Sequence, residues 1–213
     1  MVKVWIVAKS RPPAAIVVHG LSEDGQHIRL RQPDGSYLSA HTSFAVGQIW
    51  DLTFHPAPRR VAPHVEDVIV TRWQQLEPEP DLLSHLLARV KPWEGGPDKL
   101  FAGHLRSEMN KNKPFISERD PIAPISMGYW RPDVSLIKWH DADRRVCYRY
   151  YTPDKELLIH YSDLSNSPIS MLPAHTLVHV AFSPWWTPGN KYAWDKSSQV
   201  ERRCYLSIAG YYL

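Results

Sequence analysis

The sequence predicts a mainly β protein, two small β-barrels in tandem with a helical connector between them. Three observations carry this. Short apolar or alternating runs fall into two sets of about five, one in the first third of the chain and one after residue 124. Between them lies a stretch whose apolar residues repeat at helical spacing. The 19 prolines among 213 residues argue against long helices and for many short elements ended by turns. A chain of this length buries a real core without disulfides or metals, and can divide into units of about 100 residues.

The first barrel is expected over residues 1–76. The run "VKVWIVAKS" opens it, and "AAIVVHG" follows Arg11-Pro12-Pro13. In "EDGQHIRLRQPDG", Ile28 and Leu30 point one way while His27, Arg29 and Arg31 point the other. Gly25 and Asp34-Gly35 supply the turns. "GQIWDLTF" and "VEDVIVTRW" bring the set to about five strands, the number a small closed barrel needs.

The connector is expected over residues 77–124. "EPEPD" reads as a stiff acidic linker whose Asp81 caps a helix "LLSHLLARVK", with Leu82, Leu83, Leu86, Leu87 and Val90 as its stripe and Pro92 as its stop. A second helical stretch runs from Asp98 to about Asn110, placing Leu100, Phe101, Leu105 and Met109 on one side. "NKNKPFISERDPIAPISMG" then reads as irregular.

The second barrel is expected over residues 125–213, from "DVSLIKWH", "RRVCYRYYT", "KELLIHYSDL", "HTLVHVAFS" and "ERRCYLSIAGYYL". Asp154-Lys155 marks a hairpin turn. In "VCYRYY", Val146, Tyr148 and Tyr150 share one face and Cys147, Arg149 and Tyr151 the other. The long segment "PWWTPGNKYAWDKSSQ" is a loop of the length that usually has a role of its own.

Net charge is +3, and no segment is a polybasic tail, so a nucleic-acid contact must come from a local stripe. Cys147 and Cys204 lie far apart without CxxC spacing, which excludes a four-thiolate zinc site. The opening "MVKVWIVAKS" is too short and polar for a signal peptide, and no apolar run approaches spanning length. A cytoplasmic protein without a membrane partner is expected.

Several stretches share a likeness: the strand ending in Ser10-Arg11, then "HIRLRQPDGS", "FAVGQIWDL", "PHVEDVIV", "CYRYYTPDKELLIHYSDL" and "RCYLSIAG". Together they resemble the dual OB-fold family of prokaryotic proteins, some of which are associated with genome-defence loci. The chain departs from the pattern around "PPAAIVVHG", which lacks glycines expected there. The resemblance covers most of the chain. It implies two OB-like barrels and, by analogy, nucleic-acid binding; it supplies no reaction, no cofactor and no catalytic residue.

Three constellations are candidates for function. Lys9, Arg11, His27, Arg29 and Arg31 make a basic strand face that suits a phosphate track, or equally a charged face kept for solubility. Trp130, Arg131, Lys138, Trp139, Arg149, Trp185, Trp186, Lys191, Tyr192 and Trp194 interleave aromatics with cations. That mixture suits base stacking, docking of a protein partner, or a plug in the barrel end. His64, Glu66 and Asp67 lie together after Pro63, but strand geometry divides them between two faces, which favours a structural entry to the strand over a metal or acid/base site. GxSxG, P-loop and HExxH motifs are absent.

The reading is a non-catalytic accessory protein that binds nucleic acid, preferably single-stranded DNA or RNA, in a repair or genome-defence assembly. One rival is an adaptor docking on a larger effector enzyme; a second is a metal-dependent hydrolase or nuclease using His64, Glu66 and Asp67. No cofactor is expected, and the sequence leaves the oligomeric state open.

Overall fold

A computed structural model describes residues 1–11, 16–39, 41–108, 112–187 and 201–213. Strands β1 (Val2–Ser10), β2 (Val17–Ser22), β3 (His27–Arg31), β4 (Ile49–Pro56) and β5 (Asp67–Gln75) close into a barrel in the order β1-β2-β3-β5-β4. The pair β3 and β5 is parallel and the others are antiparallel, the order of an OB barrel. Alternation sets the core: Val4, Ile6, Val18, Ile28, Leu30, Val68 and Val70 point inward onto Trp50 and Leu52.

Helix α1 (Leu82–Leu87) follows, with the Asp81 side chain accepting from the Ser84 amide as its cap. It is shorter than the expected helix, which was to continue to Lys91. The second expected helix does not form. Pro97–Gly103 is instead a kinked 3-10 segment with left-handed φ of 50° at Phe101 and 57° at Ala102. The reason is packing: adjacent Leu100 and Phe101 both enter the core, and Phe101 sits 4.7 Å from the Trp93 ring and 4.2 Å from Phe182. The left-handed backbone at Phe101 and Ala102 breaks any α-helix at this point. The connector is not wholly helical or irregular either. It carries β6 (Trp93–Gly95), β7 (Arg106–Ser107) and β8 (Pro114–Ser117), and β6 and β8 join the second sheet.

That sheet adds β9 (Met127–Pro132), β10 (Leu136–His140), β11 (Val146–Thr152), β12 (Lys155–Tyr161), β13 (Met171–Leu172), β14 (Leu177–Phe182) and β15 (Arg203–Tyr212). Its path runs β13-β10-β11-β12-β15-β14-β9-β6. β10 and β9 stand near opposite ends of that path yet are consecutive in the chain, joined by residues 133–135. They act as one first strand broken in two. With that substitution the order repeats the first barrel, and the parallel pair β12 and β15 stands where β3 and β5 stand. The expected Asp154-Lys155 turn falls one residue earlier, since Thr152 already pairs with Lys155.

The two units pack through outward faces. Trp5, Val7 and Leu21 of the first meet Tyr129 and Leu177 of the second, and Leu86 of α1 closes over them. Ala8 meets Met127, Ala181 and Ala209. Among the described residues, no helix is long and apolar enough to cross a membrane.

Gly20 gives the first barrel a sharp test. A Cβ there would lie 2.6 Å from Val4 Cγ1 and 3.1 Å from Ile28 Cγ1, both on fully buried side chains. Gly20→Ala should destabilise the protein by roughly 1–3 kcal/mol through overpacking, read as a lowered urea midpoint at constant slope.

Candidate nucleic-acid interface

On the first barrel, β2 and β3 pair His19 with Arg29 and Leu21 with His27, so these side chains share the outward face. OB barrels take oligonucleotides on this face. Here the second unit covers it. The ring of His27 lies 5.5 Å from Tyr129, and His19 lies 4.9 Å from His179, with His19 Nδ1 3.3 Å from Met127 Sδ. Arg29 is 2% exposed and Arg31 9%, which corrects the expectation that both project to reach phosphates. The alternation was read rightly; what lies outside it was not.

Both guanidiniums converge on one carboxylate. Arg29 Nε donates to Asp67 Oδ1, and Arg31 Nη2 donates to Asp67 Oδ2 at 2.7 Å. Burial alone would raise the Asp67 carboxyl, but the two arginines outweigh it and hold it below its usual range. Asp67 begins β5 directly beside Arg29 in the parallel ladder, so the pairing follows from register.

The other two members of the His64, Glu66, Asp67 triplet face elsewhere. His64 Nε2 meets the Ser183 carbonyl at 3.0 Å. Glu66 accepts from the Ser126 amide at 2.6 Å and its hydroxyl at 2.7 Å, and burial raises its pKa. His64 and Glu66 thus tie the first barrel to the second, while Asp67 serves the first alone. Among the described residues, no group of three His, Cys, Asp or Glu is placed to hold a metal ion. Cys204 Sγ lies 3.7 Å from His64 Nε2, but burial pushes the thiol up and the imidazole down to about 3. Both partners stay neutral, the reverse of an activated thiolate. A cavity of about 20 Å³ beside Ser10, His19 and Arg29 has room for roughly one water.

The remaining basic residues are placed variously. Arg11 is exposed, and the Lys9 amine lies 3.4 Å from the Thr42 carbonyl. Trp130 is core, fully buried, with its indole donating to the Gly95 carbonyl at 2.8 Å; it offers no stacking face. Arg131 donates to the His175 carbonyl and Lys138 to Pro168, both half-buried. Trp185 donates to the Ala62 carbonyl at 2.8 Å and so fastens the two units, whereas Trp186 is 51% exposed. Lys191, Tyr192 and Trp194 lie outside the described residues.

In the second unit β11 and β12 stand where β2 and β3 stand, and their outward face, with the adjoining β10, carries exposed groups. Ile137 of β10 pairs with Arg149 of β11, and Trp139 with Cys147, which puts Trp139, Arg149 and Tyr151 on one outward face. The Arg149 guanidinium lies 5.3 Å from the Trp139 ring centroid and 4.4 Å from that of Tyr151. Trp139 is 47% exposed and Tyr151 57%. Three planar groups therefore form a row on the surface. Arg144 and Arg145 lie at the β10–β11 turn next to it, while Lys155 opens β12 on the opposite face from Tyr151 and Glu156. Sequence reading placed Arg149 and Tyr151 on a common face but did not count Tyr151 as a site residue. The alternation in "VCYRYY" was the available signal.

A family model for the dual OB-containing domain matches residues 2–211. The chain belongs to the dual OB-containing domain family. No curated protein and no solved structure matches it. The dual OB-containing assignment agrees with the repeated strand order, and what it leaves unassigned is the ligand.

The covered face predicts a pH response. Burial lowers His19 and His64 to about 3 and His27 to about 4, and holds His179 well below its usual value. These rings stay neutral in the folded state while the unfolded chain takes up protons below about 6.5. Their stability contribution is whole above that pH and falls as pH drops toward the folded values, by up to about 1.4 kcal/mol per pH unit for each ring. Urea midpoints should fall between pH 7.5 and pH 5; a flat profile would contradict neutral burial of these rings.

Proposed function

We propose that this protein binds single-stranded nucleic acid on the outward face of β10 and β11, as a non-catalytic accessory subunit. The observation that carries the reading is the row of Trp139, Arg149 and Tyr151, half-exposed on the face where OB barrels take oligonucleotides. Bases stack on such groups without regard to sequence, each contributing about 1–3 kcal/mol. Arg149 is already paired with Glu156, so it serves more as a planar surface than as a free charge. Phosphate neutralisation falls to Arg144 and Arg145 at the β10–β11 turn. A repair or genome-defence assembly is the setting in which such an accessory would act.

A specific feature supports docking on a protein as the second reading. Ile137 and Met171, 43% and 44% exposed and paired across β10 and β13, extend the face with apolar surface.

Fluorescence titration with single- and double-stranded oligonucleotides separates the two. Two phosphate contacts should weaken single-strand binding about 7-fold between 50 and 200 mM salt. Trp139→Ala and Tyr151→Ala should each weaken it by roughly 5- to 100-fold at unchanged melting temperature. Absence of binding at low salt removes the nucleic-acid reading and leaves the docking surface.

A further inference from the structure

The row of stacking groups is sequence-tolerant, but one neighbour is not. Glu156 of β12 stands directly opposite Tyr151 in the antiparallel ladder, so their side chains rise side by side on the open face. Its carboxylate is held at both oxygens: Arg149 Nε donates to Oε1, and Asn112 Nδ2 donates to Oε2 at 2.9 Å. Asn112 is itself fixed, because its carbonyl accepts the Leu158 amide at 2.8 Å and its own amide donates to Glu108 at 2.9 Å. The side chain of Glu156 remains 34% exposed. Each oxygen has a second lone pair beyond the one in use. The result is a pre-oriented pair of acceptors beside a stacking ring.

A phosphate would be repelled there, so the carboxylate does not serve the backbone track. It faces whatever edge a stacked base presents. Guanine is the base whose Watson–Crick edge carries two adjacent donors, N1–H and the N2 amino group, matched to two carboxylate oxygens. Cytosine and adenine offer one amino group next to a ring-nitrogen acceptor, which a carboxylate repels. Thymine and uracil offer one N–H between two carbonyl oxygens. We propose that Glu156 is the base-reading residue of this face and selects guanine in a single strand. The proposal rests on the stacking face being the binding site.

The test compares a thymine oligonucleotide with the same strand carrying one central guanine, for the native chain and for Glu156→Gln. A bidentate contact should give the guanine strand roughly ten-fold tighter binding. Glu156→Gln keeps the shape but replaces one acceptor with a donor, so it should erase that preference while the all-thymine strand binds equally well or more tightly. Equal binding of the two strands by the native chain, or a preference that survives in Glu156→Gln, overturns the assignment of Glu156 alone. Failure of both strands to bind the native chain overturns the stacking site itself, and with it this proposal.

Discussion

A guanidinium leaves water only when a carboxylate goes with it, and the joint between the two barrels is organised by that constraint. Arg29 and Arg31 share the single carboxylate of Asp67, with all three side chains close to fully buried. Stripping away one partner of such a group leaves an uncompensated charge, which is why buried pairs tolerate so little change. Around it lie histidine rings kept uncharged, Glu66 clamped by Ser126, and a cluster of Ala8, Met127, Ala181 and Ala209. The covered face of β2 and β3 shares this joint with β1, through Trp5, Val7 and Ala8, and with residues 62–66 ahead of β5.

The same topological face thus has two fates within one chain. In the first unit it has become an internal surface, with its cations spent on Asp67. In the second it stays in water and carries Trp139, Arg149 and Tyr151. Duplicate architecture does not duplicate function, and the difference lies in what covers the strands. The first barrel is a fixed support that leaves the second free to present a flat, aromatic, weakly charged surface.

Much of the fold was legible because alternation is a local property. The inward residues of β3, β11 and β12 follow from period two alone, and two sets of about five strands gave the two-barrel arrangement, with which the family resemblance agreed. What period two cannot say is whether the other face meets water or protein, so Arg29 and Arg31 read as a phosphate track. Trp130 was similarly opaque, since indoles serve cores and surfaces alike. The apolar spacing after Asp98 fitted a helix, but Leu100 and Phe101 answer to a core reached from both sides. The candidate site was half visible: Trp139 and Arg149 were named, while Tyr151 and Glu156 acquired meaning only once cross-strand register set them beside one another.

One consequence follows from the broken first strand of the second unit. Its leading half, β9, places Met127 and Tyr129 in the joint, and its trailing half, β10, places Trp139 on the open surface. A β-strand shifted by a single residue turns all its side chains over. Misthreading on either half would bury Trp130's neighbours wrongly at one end and present the wrong face at the other. Each half has its own register to hold, β9 against β14 and β6 and β10 against β11 and β13, so one strand interrupted by three residues answers separately to the joint and to the surface.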